Sequence, residues 1–174
     1  VDTIRGKMSA RFISLTGLLL AAAVLFPVVF HQFGIAGRVF LPMHIPVFLA
    51  GLVLGPWAGL LVGALSPGLS ALLTGMPTAA YAVPMTPELA AYGAVSGLLY
   101  TDRKRSLWLA LIGAMVAGRV VWCLMAVVIA PLLGFGGRTL PVVLAALAVG
   151  WPGVVLQLIF VPPLVMKVKR ASVF

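Results

Sequence analysis

Four side chains able to do chemistry stand inside otherwise apolar stretches of this sequence: His44, Glu88, Arg119 and Gln157. His44 lies between Pro42 and Pro46 in "FLPMHIPVFLAGLVLGPWAGLLVGALSP", Glu88 in "MTPELAAYGAVSGLLY", and Arg119 in "GRVV". A neutral imidazole offers one donor and one acceptor, and a carboxylate accepts only. A guanidinium is a permanently charged fork of donors that suits a carboxylate or phosphate. Two arrangements use this set. In one, Glu88 and Arg119 form a buried ion pair and His44 bonds to a backbone carbonyl freed by the flanking prolines. In the other, the same groups line a pocket where a polar solute replaces water. An ion pair can also form one wall of such a pocket.

Catalysis finds little support in the same residues. Intramembrane metalloproteases need a close set such as H-E-x-x-H, aspartyl proteases need two aspartates, and lipid phosphoryl transferases use several acidic metal ligands. The chain has three acidic residues, and two of them, Asp2 and Asp102, belong to terminal or loop segments. Ser66, Ser70 and Ser96 could each partner His44, but none sits in a G-x-S-x-G frame. Two histidines, His31 and His44, make a poor metal site, and the lone Cys123 excludes an internal disulfide and a cysteine cluster. Binding or transport is expected, with no enzyme activity, no metal and no cofactor.

Composition dictates where these groups are held. Of 174 residues, 63% are hydrophobic and 9% are charged, against about a quarter charged in soluble domains. Apolar runs near the ~20 residues that cross a ~30 Å hydrocarbon core recur along the chain. The reading is a single transmembrane domain over residues 1–174: an all-α integral membrane protein of six helices. These span Phe12 to Phe30, Phe40 to Leu54, Trp57 to Leu73, Pro87 to Tyr100, Leu107 to Leu133 and Pro141 to Met166. The basic N-terminus followed by an apolar run resembles a signal peptide. It lacks a small-x-small cleavage site and is read as a retained helix.

Charge tests the count. Six spans put Arg5, Lys7, Arg11, Arg103, Lys104, Arg105, Lys167, Lys169 and Arg170 on one side, and only Arg38 and Arg138 in loops on the other. By the positive-inside rule both termini are then cytoplasmic. The net charge of +9 reports topology and contact with anionic lipid rather than a nucleic-acid surface. On this topology, at 1.5 Å per residue, Glu88 and Arg119 lie about 18 Å above the cytoplasmic helix ends, His44 about 15 Å and Gln157 about 14 Å. Four polar groups from four helices share one layer. The connection "TGMPTAAYAVPMT", residues 74–86, is too apolar to be merely solvated. It is read as an external lid in which Met76 and Tyr81 supply contact area, the alternative being packing on neighbouring helices or headgroups.

The run "FLPMHIPVFLAGLVLGPWAGLLVGALSPGLSALLTGMP", then "MTPELAAYGAVSGLLY" and "GRVV", resembles the substrate-binding S components of energy-coupling factor (ECF) transporters of bacteria and archaea. The proline-histidine-proline start of the second helix and the "LGP" at its end carry the likeness in combination. The resemblance implies a subunit of the cytoplasmic membrane that binds a vitamin or vitamin precursor in an outward-facing pocket. It further implies a separate transmembrane coupling subunit and two ATPases. No G-x-x-x-x-G-K-[ST] sequence is present, so ATP use would belong to those partners. In the family a small-x-x-x-small face of the first helix docks on the coupling subunit. Here Gly17 and Ala21 are the closest match, although such pairs also pack ordinary helices.

The site residues favour an anionic vitamin, such as nicotinate or pantothenate, where Arg119 is partly unpaired. Where Glu88 neutralises Arg119, a neutral solute such as pyridoxine or a pyrimidine precursor fits equally. A small helical channel or an accessory membrane subunit is the competing class.

Overall fold

A computed structural model describes residues 10–31, 41–132, 134 and 140–171. Arg5, Lys7, Arg38, Arg138 and the expected helix start at Phe40 lie outside the described residues. Every regular element among the described residues is helical. In chain order these are α1 (Ala10–His31), α2 (His44–Leu49), α3 (Pro56–Thr74), α4 (Ala79–Gly97), α5 (Leu107–Leu124), α6 (Leu140–Val149) and α7 (Trp151–Arg170). Three helices widen at their C-terminal ends into π-helical turns: α2 over Ala50–Leu54, α4 over Leu98–Asp102 and α5 over Met125–Ile129. A short helical turn, Ala130–Leu132, closes the last of these.

Among the described residues, four helices are long and apolar enough to cross a bilayer: Ala10–Phe30, Pro56–Thr74, Leu107–Ile129 and Trp151–Arg170. The chain is a multi-pass membrane protein. The His44–Leu54 helix is apolar but shorter, and α4 carries Glu88, Pro84 and Pro87 within its length.

Local chemistry explains the boundaries. Gly55, at φ 102°, turns the chain between α2 and α3, and Pro56 opens α3, where its missing N–H would have no helical partner anyway. At the other end of α3, Gly75 adopts the left-handed conformation (φ 72°) and returns its N–H to the Ala71 carbonyl. The expected sixth helix is instead two. Pro152 cannot donate to the preceding turn, so α6 stops at Val149 and α7 begins at Trp151, with Gly150 between them.

The expected lid over residues 74–86 is corrected in the same way. Only Gly75 to Thr78 is non-helical, because α4 starts at Ala79 and not at Pro87. Thr78 is extended (ψ 157°) and its carbonyl accepts from both Tyr81 and Ala82, which launches a helix through two alanines. Pro84 and Pro87 remain inside it; read as loop punctuation, they are overridden by the demand that backbone groups be satisfied internally. The four-residue connection is pinned rather than loose. Ser70 Oγ donates to the Met76 carbonyl at 2.7 Å, and the Thr74 hydroxyl bonds both the Ser70 carbonyl and the backbone of Met76.

The core forms where α2, α3, α4 and α5 meet, around Val47, Phe48, Leu52, Val62, Leu89, Tyr92 and Leu111. Glycines bring α3 and α4 into backbone contact: a Cβ built on Gly59 would overlap the Gly93 carbonyl, and one on Gly93 the Gly59 carbonyl. Close approach of this kind is how helices gain packing in lipid, where burial from water drives nothing. Gly59→Ala should therefore lower stability by about 1–3 kcal/mol, since backbone cannot step aside as a side chain would. Gly17→Ala, with nothing within 4 Å of the added atom, should leave it unchanged. Melting of both variants in detergent checks the contrast.

Candidate binding site

A cavity of about 410 Å³ opens among α2, α4, α5 and α6, roofed by the α3–α4 connection and bordered by Pro27 of α1. His44, Glu88 and Arg119 line it, as do Met76 and Tyr81. Exposure gives its depth: His44 is 1% and Glu88 3% exposed, whereas Met76 and Tyr81 at the roof are 49% and 44% exposed. The buried end carries His44 and Glu88 together with Met43 and Trp122, and the mouth is largely apolar.

Arg119 Nη1 donates to Glu88 Oε1 at 2.9 Å, and the Tyr92 hydroxyl donates to the same oxygen at 2.9 Å. Glu88 and Tyr92 stand four residues apart on one face of α4, which is why both reach one point. Tyr92 lies flat enough for this only because α5 presents Gly118, where an added Cβ would strike the Tyr92 ring. Gly118→Ala should displace the phenol from Glu88 and lower stability by roughly 1.5 kcal/mol, the worth of one hydrogen bond to a charged group. Melting of the solute-free variant in detergent checks it.

His44 is the first residue of α2 and its ring packs 5.2 Å from that of Tyr92, tilted by 56°. Neither ring nitrogen makes a well-formed hydrogen bond among the described residues, although the Leu41 backbone lies close to the imidazole. This corrects the expectation of a carbonyl freed by Pro46 for the imidazole to take. Because α2 starts at His44, Pro46 falls in the first turn, where N–H groups have no intrahelical acceptor and a missing one opens no gap.

Gln157 does not join the site. It is 1% exposed, on α7, with its Nε2 unpartnered among the described residues, but it is not a lining residue. Equal depth fixes height and leaves azimuth open. The break at Gly150 also puts α6, through Ala145, Ala146 and Val149, at the cavity instead of α7. Sequence reasoning missed Tyr92, Trp122, Met43 and Met85. Three of these carried a signal: Met85 precedes Glu88 by three residues, Tyr92 follows it by four and Trp122 follows Arg119 by three, so each shares its neighbour's helix face. The α6 residues, small and aliphatic, carried none.

Gly17 and Ala21 are both exposed on the outer surface of α1, among exposed Ile13, Leu18 and Leu25. Cys123 is a free cysteine in α5, and no cluster of metal-ligating side chains exists among the described residues.

An apolar-walled cavity with a buried ionic floor, set in a helical membrane protein, is the anatomy of a solute-binding membrane subunit. Residues 11–165 match the family described as ECF transporter, substrate-specific component, and the chain belongs to that family. No curated protein and no solved structure gives a match.

Proposed function

We propose that this chain is the high-affinity binding subunit for uptake of a small water-soluble vitamin or vitamin precursor, held in the cavity floored by His44, Glu88 and Arg119. The observation that carries this is the coincidence of three features at one place: a cavity of about 410 Å³, a Glu88–Arg119 bridge with its carboxylate buried and its guanidinium half-buried, and a buried imidazole whose nitrogens make no well-formed hydrogen bond among the described residues. Buried polar atoms without partners are uncommon in native proteins and call for an occupant. Membership of the family supports a separate transmembrane coupling subunit and two ATPases as partners. The exposed Gly17 and Ala21 on α1 are the proposed docking face. Met76 and Tyr81 act as the rim over the solute.

The proposed topology has six crossings with both termini cytoplasmic in a bacterial or archaeal membrane, α2 and α4 crossing within the bundle and α6 with α7 forming one broken crossing. In a Cys123-free variant, single cysteines between Thr101 and Ser106 should resist an impermeant maleimide added to whole cells, while one at Gly136 should label. External labelling of the Thr101–Ser106 loop would overturn the topology.

Reconstitution tests the function itself. A binding subunit retains solute tightly and passes none across liposomes in the absence of its ATPases, whereas a channel gives sustained flux on its own. Sustained flux through the isolated protein would replace this reading with the channel.

A further inference from the structure

We infer, building on the binding role proposed above, that the solute is an uncharged, flat heterocycle presenting a hydrogen-bond donor beside an acceptor, and not an anion. The charge of the cavity is the first ground. Glu88 and Arg119 are its only charged lining residues among those described, and they neutralise one another at 2.9 Å. An anion that took Arg119 would leave the Glu88 carboxylate, 3% exposed, without its counter-charge and beside a second negative group. Both terms are severe at low dielectric. A cation meets the mirror problem at Arg119.

The unused valences of the pair are the second ground. Oε1 of Glu88 takes both protein hydrogen bonds, and Arg119 uses only Nη1. The other carboxylate oxygen and the remaining guanidinium N–H groups therefore have no protein partner among the described residues. Both residues line the cavity, so an acceptor and a set of donors are available at one place on its wall. An amide, or a ring nitrogen next to an exocyclic amino group, matches that edge without breaking the bridge.

The walls are the third. Met43, Met85 and Trp122 line the cavity beside these groups, with the more exposed Met76 and Tyr81 at its rim. Thioether and aromatic surfaces favour a planar ring inserted with its polar edge downward.

Matched pairs test the inference: nicotinamide with nicotinate, and uracil with orotate, each at 1 mM against solute-stripped protein, read by native mass spectrometry and melting temperature. The solute released from protein as purified is identified in parallel. In wild type the uncharged member should bind at least tenfold better than its carboxylate. In Glu88→Gln, which keeps the shape but leaves Arg119 unbalanced, the carboxylate should gain at least tenfold and the order reverse. Carboxylates preferred by wild type, or a released solute carrying charge at pH 7, overturn the inference while leaving the binding role intact. Where neither pair binds, the released solute decides: an uncharged heterocycle supports the inference. Protein that neither carries nor takes up any solute overturns the binding role and the inference together.

Discussion

Arg119→Met should weaken binding of the co-purifying solute by about 1.5–3 kcal/mol, the range for a hydrogen bond to a charged group, or about tenfold to somewhat over a hundredfold in Kd. The solute-free protein should also lose stability. Glu88 is 3% exposed and holds Arg119 as its only cationic partner among the described residues. Removing the guanidinium strands a carboxylate in the core, at a cost of about 3–5 kcal/mol. The double variant Glu88→Gln with Arg119→Met separates the two effects. It removes both charges and leaves Tyr92 an acceptor, so stability should return to near wild type while affinity stays low. A purely structural ion pair predicts that affinity returns as well. Titration calorimetry of the three proteins, paired with their melting temperatures, decides between these outcomes.

The reason this pair could be read from sequence is physical. Charged groups in apolar helices are expensive, so three ionisable residues in a chain that is 9% charged stand out, and opposite charges among them attract a pairing hypothesis. The membrane environment was legible on the same grounds, as were α1, α3 and the start of α5, whose ends are set by local chemistry such as Gly55–Pro56. Where the reading fell short, two principles competed. Pro84 and Pro87 are strong breakers in water, but in this bundle the helix runs through them from Ala79. Pro152 is the opposite case, a proline inside a long apolar run that does end the helix, because it falls beside Gly150.

The shape of the cavity was the least legible feature. It depends on how closely α3 and α4 approach through Gly59 and Gly93, and on which half of a broken helix faces inward. Neither quantity leaves a periodic signal in a sequence that is hydrophobic on nearly every face. Gln157 illustrates the limit: counting residues assigns it a height but not an azimuth, and it lies on α7, outside the lining of the cavity.

His44 offers the test in which binding and stability should move in opposite directions. Its two ring nitrogens are buried and make no well-formed hydrogen bond among the described residues, and each desolvated polar group left unsatisfied costs about 1–3 kcal/mol. Phenylalanine has similar volume, keeps the ring contact with Tyr92 that now spans 5.2 Å, and brings no polar atom. His44→Phe should therefore raise the stability of solute-free protein by about 1 kcal/mol or more, since a desolvation penalty is removed with little change in packing. Its affinity for the solute should fall by about 1–3 kcal/mol, because the hydrogen bonds that offset the same penalty in wild type form only when the cavity is filled. His44→Gln, which keeps a donor and an acceptor, should recover part of that loss. A residue retained only to begin α2 behaves differently: both variants would bind as wild type does, and Phe at position 44 would leave affinity untouched. Melting curves with and without solute separate the cases, and equal affinity in wild type and His44→Phe would remove the imidazole from the site.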